Sequence, residues 1–220
     1  MANGIDVSEW QGIIDWRSVR TDFAILRAGY GRLSSQTDKC FRANYEGCGL
    51  NGIPCGAYWY SYAESADDAR KEAEACLEVI KGRRFEYPIY YDIEEQRTLD
   101  LGKTEVSAII RTFLDTLEQA GYFAGLYMSL DVLNAYTDEE IRRKYAVWVA
   151  DYTTQRPDSY GMWQKSSTGR IDGIKGNVDL DESFEDYPSI IKNAGLNGFG
   201  KTHTITVEID GEIIIKDYRF

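Results

Sequence analysis

Asp92 and Glu94 stand one residue apart at the end of the apolar run Tyr87-Pro88-Ile89-Tyr90-Tyr91-Asp92-Ile93-Glu94-Glu95. Side chains alternate along an extended chain, so the two carboxyls fall on one face. Each must lose water beside a like charge, which works against ionising both and holds at least one pKa up. That pairing is unfavourable as mere structure. It is useful at an active site, where an acid that keeps its proton beside a carboxylate that has lost one can do general acid–base chemistry. Other acids recur near short apolar runs: Asp6 after Gly4-Ile5, Asp151 after Ala146-Val147-Trp148-Val149-Ala150, and Asp179 after Asn177-Val178. The single histidine is His203, so a Ser-His-Asp triad, a Cys-His pair or a His-ligated zinc would depend on that residue. Acidic and aromatic side chains must then carry the chemistry. The 16 tyrosines and 5 tryptophans offer carbohydrate-stacking surface as well as core. A hard divalent cation held among Asp6, Asp92, Glu94 and Asp179 is the competing chemistry for the same acids.

These acids lie far apart in the chain, so strand ends must be brought together. Gly4 to Ser8 reads as a short first strand, and Asp22 to Gly29 is a near-continuous apolar run suited to burial on both faces of a parallel sheet. Arg27, near the end of that run, is expected to be the structural partner of a mouth acid. Lys39 to Gly52 reads as a helix, and Ile53 to Ala63 as a strand with Tyr58, Tyr60 and Tyr62 on one face. Ser65-Ala66-Asp67-Asp68 has the form of a capping box, opening a helix on which Ala66, Ala69, Ala73, Cys76, Leu77 and Ile80 recur until Gly82. Residues 103–120 form the clearest helix, with Val106, Ile109, Ile110, Phe113, Leu114 and Leu117 on one face. Tyr122 to Ser129, Ala146 to Asp151, Met162 to Gln164 and Gly176 to Leu180 bring the total to about eight strands, separated mostly by helices. This order predicts an α/β fold with a parallel sheet, closed as a TIM-like barrel whose strand ends gather the acids at one mouth. A doubly wound open sheet would carry a glycine-rich phosphate turn after its first strand, and none is present. The barrel is short against the ~250 residues usual for the fold, so several helices must be brief.

A net charge of −11 and a pI of about 4.7 remove nucleic acid as a partner. No apolar run approaches the ~20 residues of a membrane span, so no membrane insertion is expected. The opening Met1-Ala2-Asn3-Gly4-Ile5-Asp6 has neither a basic nor an apolar leader segment, and no signal peptide is expected. Cys40, Cys48, Cys55 and Cys76 match neither a zinc site nor a disulfide framework and are expected as free, mostly buried thiols. Residues 193–202, with Gly195, Gly198 and Gly200, read as a linker. Residues 203–220 alternate about Asp210-Gly211, the signal of a β-hairpin with a type I′ turn, which sets Val207 opposite Ile214 and Glu208 opposite Ile213. A lone hairpin is marginal in water, so this one is expected to dock on the barrel or on another chain.

Several of these pieces form a collinear series. Gly4-Ile5-Asp6-Val7-Ser8-Glu9-Trp10-Gln11-Gly12 is followed by Ile14-Asp15-Trp16, Phe23-Ala24-Ile25-Leu26-Arg27-Ala28-Gly29, Gly56-Ala57-Tyr58 and Tyr91-Asp92-Ile93-Glu94. Trp148-Val149-Ala150-Asp151-Tyr152, Trp163-Gln164 and Gly176-Asn177-Val178-Asp179-Leu180 complete it. The series resembles the glycoside hydrolase family 25 lysozymes, with Tyr91-Asp92-Ile93-Glu94 at their Asp-x-Glu catalytic strand and Trp59 where many members carry histidine. The resemblance implies a modified, short (β/α) barrel over residues 1–192 and does not extend to the linker 193–202 or the hairpin tail 203–220, the latter expected to serve as an oligomerisation or remnant wall-binding element. It implies an N-acetylmuramidase, needing neither cofactor nor metal, that cleaves the β-1,4 bond between N-acetylmuramic acid and N-acetylglucosamine in peptidoglycan with retention. Glu94 is then the acid/base, and Asp92 stays ionised to assist the substrate's acetamido group. Asp6 and Asp179 hold that group or the Asp92/Glu94 pair. Tyr60, Tyr62, Tyr127, Trp148, Asp151, Trp163 and Gln164 are the candidate contacts to the glycan strand. A catalytically silent wall-binding module should lack one of the four acids, and none is missing. The expected setting is a phage or prophage endolysin, held in the host bacterial cytoplasm until a holin releases it to the wall, and partnered in solution by further copies of itself through the hairpin.

Overall fold

The computed structural model describes residues 1–153 and 160–200 in full and the backbone of residues 202–209 and 212–219. Eight strands close a barrel: β1 (Ala2–Val7), β2 (Phe23–Tyr30), β3 (Cys55–Tyr60), β4 (Ile89–Asp92), β5 (Ala124–Ser129), β6 (Ala146–Ala150), β7 (Met162–Gly169) and β8 (Val178–Ser183). Around and between them lie α1 (Phe41–Asn51), α2 (Ala66–Ile80), α3 (Gln96–Leu99), α4 (Lys103–Gln119), α5 (Leu130–Tyr136), α6 (Glu139–Lys144) and α7 (Tyr187–Ala194). Strands β1 to β7 pair in parallel, whereas β8 runs antiparallel to both β7 and β1. The expected all-parallel sheet is therefore corrected at its seam. Residues 170–177 between β7 and β8 contain no helix, and so short a connection can only return the chain antiparallel. The reversal matters for chemistry. The mouth lies at the C-terminal ends of β1 to β7 but at the start of β8, which sets Asp179 directly across from Asp6.

Two apolar layers hold the barrel. Val106, Ile109, Ile110, Phe113, Leu114 and Leu117 on α4 are all buried, as are Ala69, Ala73, Cys76 and Ile80 on α2, following the helical spacing in the sequence. The Phe113 ring stacks on Tyr91 of β4 at 3.7 Å, a contact worth about 0.5–1.5 kcal/mol beyond area burial. The Ser65–Asp68 box forms only in half. Ser65 Oγ accepts the Asp68 N–H at 3.2 Å, but the Asp68 carboxylate accepts from Glu64 N–H and pairs with Arg32 instead of turning back to Ser65. The inner layer is built from Phe23, Ile25, Tyr90, Trp148 and Met162. Tyr87 and Tyr187, the latter at the start of α7, pack against this layer at the end away from the mouth.

Residues 193–199 are part of that floor, which corrects their reading as a linker. The Asn197 amide donates to the carbonyls of Phe85 and Tyr87 and accepts from Phe123 N–H. Gly195 ends α7 in the left-handed region, and a Cβ on Gly198 would lie 2.6 Å from the Arg83 carbonyl oxygen. The glycines serve a tight closure rather than a flexible tether. Beyond them, β9 (Thr202–Ile209) and β10 (Glu212–Arg219) form a separate two-stranded sheet, with Val207 opposite Ile214 and Glu208 opposite Ile213 as expected. The type I′ turn at Asp210-Gly211 lies outside the described residues.

Candidate active site

Asp92 is the last residue of β4, level with Tyr60 of β3 and Tyr127 of β5. It is 4% exposed, and its Oδ1 has no hydrogen-bond partner among the described residues. Burial, then the neighbouring Glu94, holds the Asp92 pKa well above the usual carboxylate range, with Arg27 opposing. Glu94 sits in the turn between β4 and α3. It is open to solvent, yet deep enough in the mouth for partial desolvation to raise its pKa, with Asp179 and Glu95 adding to the effect. Enclosure and the bare Oδ1 work against ionising Asp92 in the unliganded site, the opposite direction to the expectation that it stays ionised.

Across the mouth, Asp6 on β1 is buried. Its Oδ2 accepts Gln164 Nε2–H at 2.7 Å. Gln164 Oε1 in turn accepts the hydroxyls of Tyr127 at 2.9 Å and Tyr152 at 2.8 Å. Burial raises the pKa of Asp6 strongly, followed by Asp181 and Asp179, and burial also raises that of half-buried Asp179. The structure thus brings Asp6, Asp92, Glu94, Asp179, Tyr60, Tyr127 and Gln164 to one mouth. Gln164 and Tyr127 form a support for Asp6 there. Tyr62 lies just past β3, 46% exposed, its ring 5.1 Å from that of Tyr60 and 6.1 Å from that of Tyr30, an aromatic shelf at the rim. Tyr60 Oη donates to Glu95 at 3.4 Å.

Two expected sugar contacts, Trp148 and Trp163, are not placed for that role. Trp148 is 1% exposed in the barrel interior, its Nε1–H donated to Asp181, so it offers no free face. Trp163 packs in the layer between barrel and helices, since it alternates with the inward residues Met162 and Gln164, and its Nε1–H binds the Asp151 carbonyl. The Asp151 carboxylate accepts from Thr153 in its own turn. Arg27 is also re-placed. It pairs with Asp38 at 2.7 Å and Glu9 at 2.9 Å and reaches Asp92 only through space.

Sequence reasoning missed Asp181 and Tyr152. Asp181 lies two residues after Asp179 on the same strand, so extending the last strand past Leu180 would have placed it inward. Tyr152, whose own pKa is pushed up to about 12 mainly by burial, stands two residues beyond the end of β6. A third omission is Glu72 of α2, behind the mouth. It is fully buried and accepts Tyr62 N–H at 2.8 Å and Tyr91 Oη–H at 2.6 Å. Among the described residues no group of three or more His, Cys, Asp or Glu is placed to hold a metal ion. A cavity of about 680 Å³ lined by Tyr45, Leu50, Ile53, Arg84 and Lys192 lies near the start of β3, at the opposite end of the barrel, and no mouth carboxyl reaches it.

A model of the glycosyl hydrolases family 25 matches residues 5–174. Protein YegX of Escherichia coli K12, described as uncharacterized, is 31% identical over 195 residues, covering 81% of this chain and 68% of its own. Among solved structures, the bacterial lysozyme of Streptomyces coelicolor superposes with a TM-score of 0.76 at 27% identity, covering 87% of this chain and 96% of its own. The modular autolysin LytC of Streptococcus pneumoniae, solved in complex with a synthetic peptidoglycan ligand, gives a TM-score of 0.72 at 32% identity. That match covers 82% of this chain, which spans only 46% of the LytC chain.

Proposed function

The chain belongs to the glycosyl hydrolases family 25, and from that membership and the acidic barrel mouth we propose that it is a lysozyme. In this reading it is an N-acetylmuramidase, hydrolysing the β-1,4 bond between N-acetylmuramic acid and N-acetylglucosamine in bacterial peptidoglycan with retention. LytC, a relative over the same barrel, binds a peptidoglycan ligand, which supports the substrate class.

The observation that carries the reading is the Asp92/Glu94 pair, two carboxyls with raised pKa values at one strand end, one enclosed and one open. Asp92 Oδ1 has no donor in the described structure, and the substrate's acetamido N–H is a donor of the right kind. Its approach favours the ionised form of Asp92 and leaves the pair's proton on Glu94. Glu94 then protonates the glycosidic oxygen while the acetamido carbonyl oxygen attacks the anomeric carbon from the other face. Water opens the cyclic intermediate, its proton passing to Glu94 and its hydroxyl to the anomeric carbon. Two inversions give net retention. Asp6 and Asp179, facing each other across the seam, flank the pair and hold the sugar or the carboxyls in place. Tyr60, Tyr62 and Tyr127 contact the glycan.

The hairpin, as a sheet of its own, is assigned to oligomerisation or wall binding. No helix among the described residues is long and apolar enough to cross a membrane, and four unpaired cysteines fit a reducing compartment before an endolysin-type release to the wall. The test is product analysis on purified peptidoglycan. New reducing ends on N-acetylmuramic acid support the reading, and ends on N-acetylglucosamine or none overturn it. A trapped sugar–Asp92 ester would replace the acetamido route with direct attack by Asp92.

A further inference from the structure

Asp181 lies beneath Asp6. It occupies the fourth position of β8, in register with Gly4 of β1 and Gln164 of β7, and is fully buried. Its Oδ1 accepts Trp148 Nε1–H at 2.9 Å. Its Oδ2 receives no hydrogen bond from a described donor, and Asp6, two residues on from Gly4 and on the same face of the adjacent strand, is the neighbouring carboxyl whose pKa Asp181 raises. Asp6 is arranged in the same way, one oxygen taken by the Gln164 amide, which two tyrosine hydroxyls hold in orientation. Asp181 thus has a single neutral donor and a bare oxygen, with the Asp6 carboxyl beside it on the next strand. Two carboxylates in contact and away from water repel strongly, whereas one proton between them makes an O–H···O⁻ hydrogen bond.

The surrounding charges reinforce this. Asp179 on β8 and, when ionised, Asp92 on β4 add negative charge at Asp6, and Asp179 does so at Asp181. Lys165 on β7 opposes it at Asp181 but is engaged with Glu182 at 2.5 Å. Tyr58 on β3 and Tyr90 on β4 are the facing hydroxyls, neutral because burial pushes their pKa values up. Of the two acids, Asp181 is the deeper, while Asp6 borders the mouth and has the shorter bond from its neutral donor.

We propose that Asp6 and Asp181 share one proton, carried on Asp181 and donated to Asp6, so that Asp181 is the positioning residue that keeps Asp6 ionised and aimed into the mouth. The inference rests on the enzyme reading only where it assigns Asp6 to the catalytic mouth.

Asp181→Asn tests it. The amide keeps an oxygen for Trp148 and offers an N–H to Asp6, but has no proton to lose. A group whose folded pKa lies above its unfolded value contributes stability that is fully present below the unfolded pKa and is lost as pH rises through the folded one. Thermal midpoints of the full chain, measured from about pH 4 to about pH 8, should fall more steeply with pH in the wild type than in Asp181→Asn. On peptidoglycan the variant should keep kcat/KM within about threefold, where Asp181→Ala loses more than about tenfold. Parallel pH–stability curves overturn the shared proton. A folded but inactive Asp181→Asn overturns it too, since an ionised Asp181 would then be required. If the curves diverge but neither protein cleaves peptidoglycan, the shared proton stands and the enzyme reading falls. Should Asp181→Asn not fold, Asp6→Asn removes the like charge that holds the proton on Asp181 and must flatten the same curve.

Discussion

Glu94 and Asp92 differ by one methylene and by depth, and depth is what separates their proposed roles. Glu94→Gln removes the transferable proton at nearly constant size. Release of reducing ends should fall by at least ~100-fold, while the unfolding free energy stays within about 0.5 kcal/mol. Near-wild-type turnover would refute the acid/base role. The raised pKa of Glu94 also sets a sign for pH dependence. The acid is active when protonated, so kcat/KM should decline as pH rises through a value above the ~4.3 of an ordinary glutamate. A decline complete below that value would contradict the partial desolvation described. At the rim, Tyr62→Ala should raise KM several-fold with kcat little changed, because the exposed ring can stack on a sugar but lies away from the reacting bond. The four acids named from the sequence were legible because ionisable groups beside apolar runs stand out. Trp148 and Trp163 were not. Barrel strands are apolar on both faces, and nothing in Trp148-Val149 or Met162-Trp163 tells inside from outside until the register is known.

At the scale of elements, Glu72 joins a helix to the mouth. Its carboxyl accepts from Tyr62 N–H and Tyr91 Oη, and Ser61 Oγ lies 2.8 Å from the same tyrosine hydroxyl. Glu72→Ala removes the acceptor of Tyr62 N–H, a loss of about 1–3 kcal/mol, and leaves Tyr91 Oη–H only Ser61 Oγ to bond. A lower thermal midpoint together with weaker glycan binding is expected, and Glu72→Gln should recover most of both. Unchanged calorimetry for the alanine variant would show that water replaces the carboxyl. Gly125 of β5 is a second element-scale site. A Cβ there would lie 2.4 Å from the Tyr90 ring, so Gly125→Ala should destabilise by about 1–3 kcal/mol through overpacking. The α2 and α4 faces were readable from spacing alone. The direction of β8 was not, because the same alternating residues suit either direction and only the length of the link decides.

For the whole molecule, the barrel closes through residue 199 without the last two strands. Deleting residues 201–220 should therefore leave one cooperative unfolding transition at an unchanged midpoint. If the hairpin serves oligomerisation or wall binding, the same deletion lowers solution mass or retention on sedimented walls. A change in neither would remove that assignment. The net charge of −11 argues against simple electrostatic capture by an anionic wall and puts recognition on specific contacts. Activity should also survive a chelator, since the proposed chemistry moves protons between carboxyls, sugar and water alone; loss of activity restored by a divalent cation would favour the metal-cage chemistry.

By itself the sequence determined the barrel class, the two main helices, the hairpin register and the Asp92/Glu94 pair. Each is a local matter of alternation, helical period, turn chemistry or a charge beside an apolar run. The tertiary structure decided what depends on distant partners. It reversed β8 and so set Asp179 against Asp6, buried Trp148 inside the barrel and turned Trp163 outward, and drew residues 193–199 into the floor. It also buried Asp181 beneath Asp6. Burial and contact between residues more than a hundred positions apart determine which of these acids keeps its proton, and no local pattern encodes that.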